Sequence, residues 1–141
     1  MAHYYLSNKQ DILLIYDGEC PVCNNYCRLV RIRQNVGKLC LVNAREQSEI
    51  MAEITARGID IDHGMVLKIK DEIYYGADAI HMLALISNRL NIFNRINYFI
   101  FSSKTLSKTL YPILRLFRNL LLKLLGKQKI NNLNALDNLK F

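Results

Sequence analysis

No stretch of this chain reaches the roughly 18 uninterrupted apolar residues that a membrane-spanning helix needs, although 51% of its 141 residues are hydrophobic. No export signal is expected either: Met1 to Gln10 is mixed polar and aromatic and has neither a charged start nor an apolar core. The expected address is therefore cytoplasmic, where cysteines rest reduced unless they are catalytic. Cysteine is sparse, with four residues and one closely spaced pair, Cys20 and Cys23. A zinc site would have to complete its four ligands from Cys27, Cys40, His3, His63 and His81, which offer no second pair at ligand spacing, so no metal is expected. Acidic residues nearly vanish from the second part of the chain. Residues 1–78 carry nine Lys or Arg against eleven Asp or Glu and residues 79–141 carry ten against one, a balance of −2 and +9 that makes up the net +7. Such a charge permits nucleic acid contact, but no reader motif or aromatic-basic platform accompanies it, and none is expected.

What is present reads as one domain over residues 1–129, long enough to bury a core without disulfide staples. Its core spans about residues 11–88, basic helices span about 92–126, and residues 130–141 form a polar, flexible tail. Ile12 to Tyr16 is a short continuous apolar run, as in a strand buried on both faces, and it ends at the turn signal Asp17-Gly18. From Cys23 to Ile32, Cys23, Tyr26 or Cys27 and Val30 recur at helical spacing, with Gln34 a further candidate. Leu39 to Ala44 reads as a second strand, Glu46 to Arg57 as a helix stopped by Gly58, and Met65 to Lys70 and Ile73 to Tyr75 as a hairpin joined at Asp71-Glu72. A helix opened by Gly76-Ala77-Asp78 runs to about Ser87 with Ile80, Leu83, Ala84 and Ser87 as inward candidates. The order βαβαββα predicts an α/β fold, a thioredoxin-like four-stranded mixed sheet with extra C-terminal helices.

The cysteine pair sits where the first strand hands over to the first helix. Pro21 occupies the first helical position, where a missing N–H costs nothing. Cys20, at the helix N-terminus, meets unpaired amides and the positive end of the dipole, which favour a thiolate and mark it as the nucleophile. Cys23 lies inside the first turn, less exposed and more protonated, as suits a resolving thiol. Asp17 closes the buried strand and is placed to orient the turn or to take the proton of Cys23; Glu19 reads as solvated. Cys27 and Cys40 read as small core residues.

The run Tyr16-Asp17-Gly18-Glu19-Cys20-Pro21-Val22-Cys23 resembles the DCC thiol-disulfide oxidoreductases, a thioredoxin-like family named for its Asp, Cys and Cys. Tyr75-Gly76-Ala77-Asp78-Ala79 is similar to a second segment of that family, and the likeness runs from about Asp11 to Lys127. It implies disulfide exchange with a disulfide-containing protein or small thiol and an external reductant, with no cofactor. Better-studied thioredoxins dock substrate against a cis-proline before the third strand. Here only Pro21 and Pro112 exist, and the matching stretch reads Asp62-His63-Gly64-Met65. Pro21, Val22, Gly64 and Met65 are the expected substrate contacts; Gly64 either allows a close backbone approach or is an ordinary turn glycine before a strand. His63 is either an acid or base or a solvated loop residue.

Two readings compete for the basic region. Ile92 to Phe101 and Leu106 to Leu125, with Pro112 starting or kinking the last helix, either pack their apolar faces on the sheet, the favoured reading, or lie on anionic lipid as a peripheral contact. The rival to an enzyme is a non-catalytic thioredoxin-like binding module held to a membrane surface or partner by those helices.

Overall fold

The computed structural model describes residues 11–32, 37–88 and 90–133. Gln34 and the end of the tail lie outside them. Strand β1 (Asp11–Tyr16) is followed by helix α1 (Pro21–Leu29), strand β2 (Lys38–Asn43), helix α2 (Glu49–Ala56), a short 3-10 turn (Ile61–His63), strands β3 (Val66–Ile69) and β4 (Glu72–Tyr75), and helices α3 (Ala77–Ile86), α4 (Ile92–Phe101) and α5 (Lys104–Leu124). The sheet order is β2-β1-β3-β4, with β1 parallel to β2 and antiparallel to β3. This is the mixed four-stranded thioredoxin-like fold that the element order predicts.

β1 is central and buried on both faces, which is why its sequence is continuously apolar. Leu13 and Ile15 meet Ile50, Met51 and Ile54 of α2 on one face, while Ile12 and Leu14 meet Cys27, Val30, Ala79 and Leu83 on the other. Each such side chain contributes about 1.5–3 kcal/mol by leaving water. Cys27 is buried and Cys40 packs against the first cluster.

Several boundaries differ from expectation for local reasons. α2 begins at Glu49, because the Ser48 hydroxyl caps it by accepting the Met51 N–H at 3.2 Å. The hairpin turns at Lys70-Asp71, with Lys70 at φ 55, since Glu72 already pairs with Ile69. Ser103 caps α5 at Lys104, so Pro112 lies inside the helix; it and Lys108 are both exposed, leaving the unpaired Lys108 carbonyl to solvent. The start of the tail is tied down. The buried Asp62 carboxylate accepts the N–H groups of Ile130 at 2.8 Å and Asn131 at 2.7 Å, and Asn132 bonds to Ile61 and Ile59.

The packing of the basic helices overturns the favoured reading. α4 turns Asn94, Asn97 and Phe101 inward and leaves Ile92, Ile96 and Phe99 in solvent, at 73, 54 and 81% exposure. α5 rests on α3 and α4 through Leu110 and Tyr111, which pack on Ile80, Ala84 and Phe101, and through the Ser107 hydroxyl on the Phe101 carbonyl; Arg118 and Leu122 are also buried, while Ile113, Leu116, Phe117, Leu120 and Leu124 are exposed. Hydrogen bonds explain the inversion in α4: Asn94 Oδ1 accepts the Arg31 N–H at 3.1 Å and Asn97 Oδ1 accepts the Tyr26 hydroxyl at 2.8 Å. Among the described residues no helix is long and apolar enough to cross a membrane.

Candidate active site

The turn between β1 and α1 is built by the strand beside it. β1 and β2 run in register, so Tyr16 lies opposite Asn43, and Asn43 Oδ1 accepts the N–H of Gly18 at 3.0 Å and of Arg45 at 3.1 Å. Gly18 has to be glycine for that approach: a Cβ there would stand 2.5 Å from the Asn43 side chain. The Cys20 N–H closes the turn on the Asp17 carbonyl at 3.2 Å.

Asp17 is buried, and its carboxylate is fully engaged. Arg45 grips it with both prongs, Nε to Oδ1 at 2.7 Å and a terminal nitrogen to Oδ2 at 2.9 Å, and Oδ1 also accepts the Glu19 N–H at 3.0 Å. These contacts orient the turn. The same Arg45 nitrogen donates to the Gln128 carbonyl at 2.8 Å, which fastens the C-terminal segment to the residue that holds the turn. Glu19 is not simply solvated, since its carboxylate lies 3.5 Å from Arg45 and 3.9 Å from Lys127.

Cys20 caps α1 with extended backbone, its carbonyl accepting the Asn24 N–H at 2.9 Å and its Sγ the Cys23 N–H at 3.3 Å. A hydrogen bond from the Cys23 thiol, aided by that amide and by the Arg118 guanidinium, lowers the Cys20 thiol from 9.0 to about 7 against its own burial and the Asp17 charge. The same thiol hydrogen bond and burial drive Cys23 far upward. Burial pushes Cys27 up to about 12. Exposure runs opposite to expectation: Cys20 is 0% exposed while Cys23 is half-buried. As the cap, Cys20 turns its sulfur back over the first amides of α1.

Of the expected substrate contacts, Val22, Gly64 and Met65 line one cavity together with Cys23, and Pro21 is exposed at the first helical position. The close approach at Gly64 is internal, because a Cβ would meet the Tyr111 hydroxyl at 2.8 Å and the Gly76 Cα at 3.0 Å. Tyr111 also accepts the Met65 N–H at 3.0 Å. His63 stands half-exposed with Nδ1 3.5 Å from Asp60. Among the described residues no group of three or more His, Cys, Asp or Glu is placed to hold a metal. Arg45, Arg118 and Tyr111 escaped the sequence reading. Each acts across a contact made only by folding, and only the basic bias of the second part hinted at Arg118.

A thioredoxin-like sheet with a cysteine pair at the start of its first helix defines the class of thioredoxin-like thiol proteins. Within it, the chain belongs to the DCC1-like thiol-disulfide oxidoreductase family, whose model matches residues 14–124. No curated protein and no solved structure matches the chain.

Proposed function

We propose that Cys20 and Cys23 are the exchanging pair of this thiol-disulfide oxidoreductase. The Cys20 thiolate attacks one sulfur of a disulfide in a protein or small-thiol substrate, forms a mixed disulfide and expels the other sulfur as a thiolate. Cys23 then gives up its proton and attacks Cys20 Sγ, releasing the second substrate thiol and leaving a Cys20–Cys23 disulfide. Two electrons pass to the substrate, and an external dithiol reductant returns the pair to its starting state. Asp17, locked by Arg45, holds the turn that aims Cys20. The observation that carries this reading is the opposite displacement of the two thiols, which gives one nucleophile and one protonated partner at neutral pH. Because Cys20 is 0% exposed, attack requires a local opening that uncovers its sulfur. A reducing cytoplasm fits such a pair.

Replacing Cys23 by Ser traps substrates on Cys20 as adducts that dithiothreitol releases, and replacing Cys20 as well abolishes them. No adducts, together with no measurable dithiol-disulfide equilibrium in glutathione buffers, rejects the reading.

A second reading concerns attachment rather than chemistry, and the inverted amphipathicity of α4 supports it. Residues 92–127 hold seven Lys or Arg and no acid, and Ile92, Ile96, Phe99, Ile113, Leu116, Phe117, Leu120 and Leu124 among them face outward. That pattern suits adsorption to an anionic lipid surface. Vesicles rich in phosphatidylglycerol should sediment the protein, those of phosphatidylcholine alone much less, and Phe117→Ser with Leu120→Ser should weaken the effect; equal sedimentation with both lipids discards it.

A further inference from the structure

Beside Cys23 lies a cavity of about 410 Å³. Its wall is largely hydrocarbon, with Ile96 and Ile100 from α4 and Leu114 and Phe117 from α5, so water gains little there. Among the polar groups in this wall, one lacks a partner. Asn97 is only 4% exposed, its Oδ1 holds the Tyr26 hydroxyl, and its Nδ2 is buried with no partner. A buried amide donor is normally satisfied, so an oxygen acceptor inside the cavity would complete it. The charges that line it, Arg115 and Arg118 against an Asp17 already held by Arg45, leave a positive excess. Ile96 and Phe117 are 54 and 69% exposed, so the apolar wall continues to the outer surface and gives a chain-like molecule a way in. Small-molecule sites have this constitution, mostly apolar with a few polar groups that fix orientation.

We infer that this cavity binds one fatty-acid anion, with a carboxylate oxygen on Asn97 Nδ2 and the hydrocarbon against Ile96, Ile100, Leu114 and Phe117. The occupant borders Cys23 and covers Val22, Gly64 and Met65, the expected substrate contacts, and so shields the pair from bulky disulfides. That shielding rests on the exchange chemistry proposed above; the binding does not.

Calorimetric titration of the full chain compares dodecanoate, below its micellar concentration, with dodecyltrimethylammonium, which has an equal chain and no acceptor. Dodecanoate should bind one to one and at least tenfold tighter. Asn97→Leu should weaken dodecanoate five- to tenfold and leave the ammonium compound unchanged, and Ile100→Trp, which fills the cavity, should abolish both. Equal affinities of the two amphiphiles for the unmodified protein overturn the inference without recourse to any variant. So does an unchanged dodecanoate affinity in folded Asn97→Leu. Capture by phosphatidylglycerol vesicles without uptake of monomeric dodecanoate reduces the face to surface adsorption, and a dimer that excludes dodecanoate assigns it to a second copy; both reject the cavity as a site. The titration reads no thiol chemistry, so its failure leaves the exchange mechanism standing, and an absence of trapped adducts leaves the cavity standing.

Discussion

Removing the Cys23 thiol tests the origin of the Cys20 thiolate. The drop from 9.0 to about 7 corresponds to about 3 kcal/mol of preference for the charged form. It places about half of Cys20 as thiolate at neutral pH, against about 1% for an ordinary thiol. The largest cause is the hydrogen bond from the Cys23 side chain, so Cys23→Ala should raise the pKa by at least about one unit and cut the thiolate at pH 7 by at least about fivefold. Cys23→Ser keeps a donor and should stay close to the parent. The assay is the pH dependence of iodoacetamide alkylation in a Cys40→Ser background; Cys27, at about 12, stays silent. The shift also sets a stability profile. A depressed folded pKa stabilises the reduced protein fully above 9 and loses that contribution as pH falls through about 7. Above 9 the raised Cys23 works in the opposite sense, because the unfolded chain sheds two protons where the folded pair sheds one. Reduced protein should therefore be most stable near pH 8 to 9 on account of this pair, and Cys20→Ser should flatten the curve. An alkylation midpoint that stays near 7 in Cys23→Ala would refute the reasoning and leave the helix N-terminus and Arg118 as the cause.

Three further outcomes follow from packing. Gly18→Ala drives a methyl against the Asn43 side chain, and urea unfolding should show a loss of about 1–3 kcal/mol. Arg45→Ala leaves the buried Asp17 carboxylate without its cation and should cost about 3–5 kcal/mol in the same assay, with Arg45→Lys intermediate because an ammonium cannot span both oxygens. Leu122→Ala, at a fully buried position, should cost about 2–5 kcal/mol, whereas Phe117→Ser, at an exposed one, should change stability by at most about 0.5 kcal/mol; the reverse order would mean that α5 packs through its other face.

The central strand, the cysteine pair and α3 were legible because their signals are local: a continuous apolar run, a cap with proline behind it, and helical spacing of Ile80, Leu83 and Ala84. The starts of α2 and α5 are fixed by caps at Ser48 and Ser103, which apolar periodicity does not register. The partner of Asp17 was not legible. Arg45 comes within reach because Tyr16 lies opposite Asn43, a register that no short window contains. The outward faces of α4 and α5 misled for a related reason. Periodicity locates an apolar stripe without saying what lies against it, and here Asn94 and Asn97 have hydrogen-bond partners on the inside that outweigh the expectation of burial. The exposure of the two thiols was also beyond reach, since it follows from the cap geometry in which Cys20 turns its sulfur back over the first amides of α1.

The bridge from Arg45 to the Gln128 carbonyl has a consequence for the order in which the chain is made. Fifty-three residues separate Tyr75, the end of the last strand, from Gln128. At roughly 5–20 residues per second the ribosome needs about 3–10 s to supply them. Until Gln128 is added, Arg45 has no such carbonyl to hold, so this fastening of the thiol turn is among the last contacts that the growing chain can make.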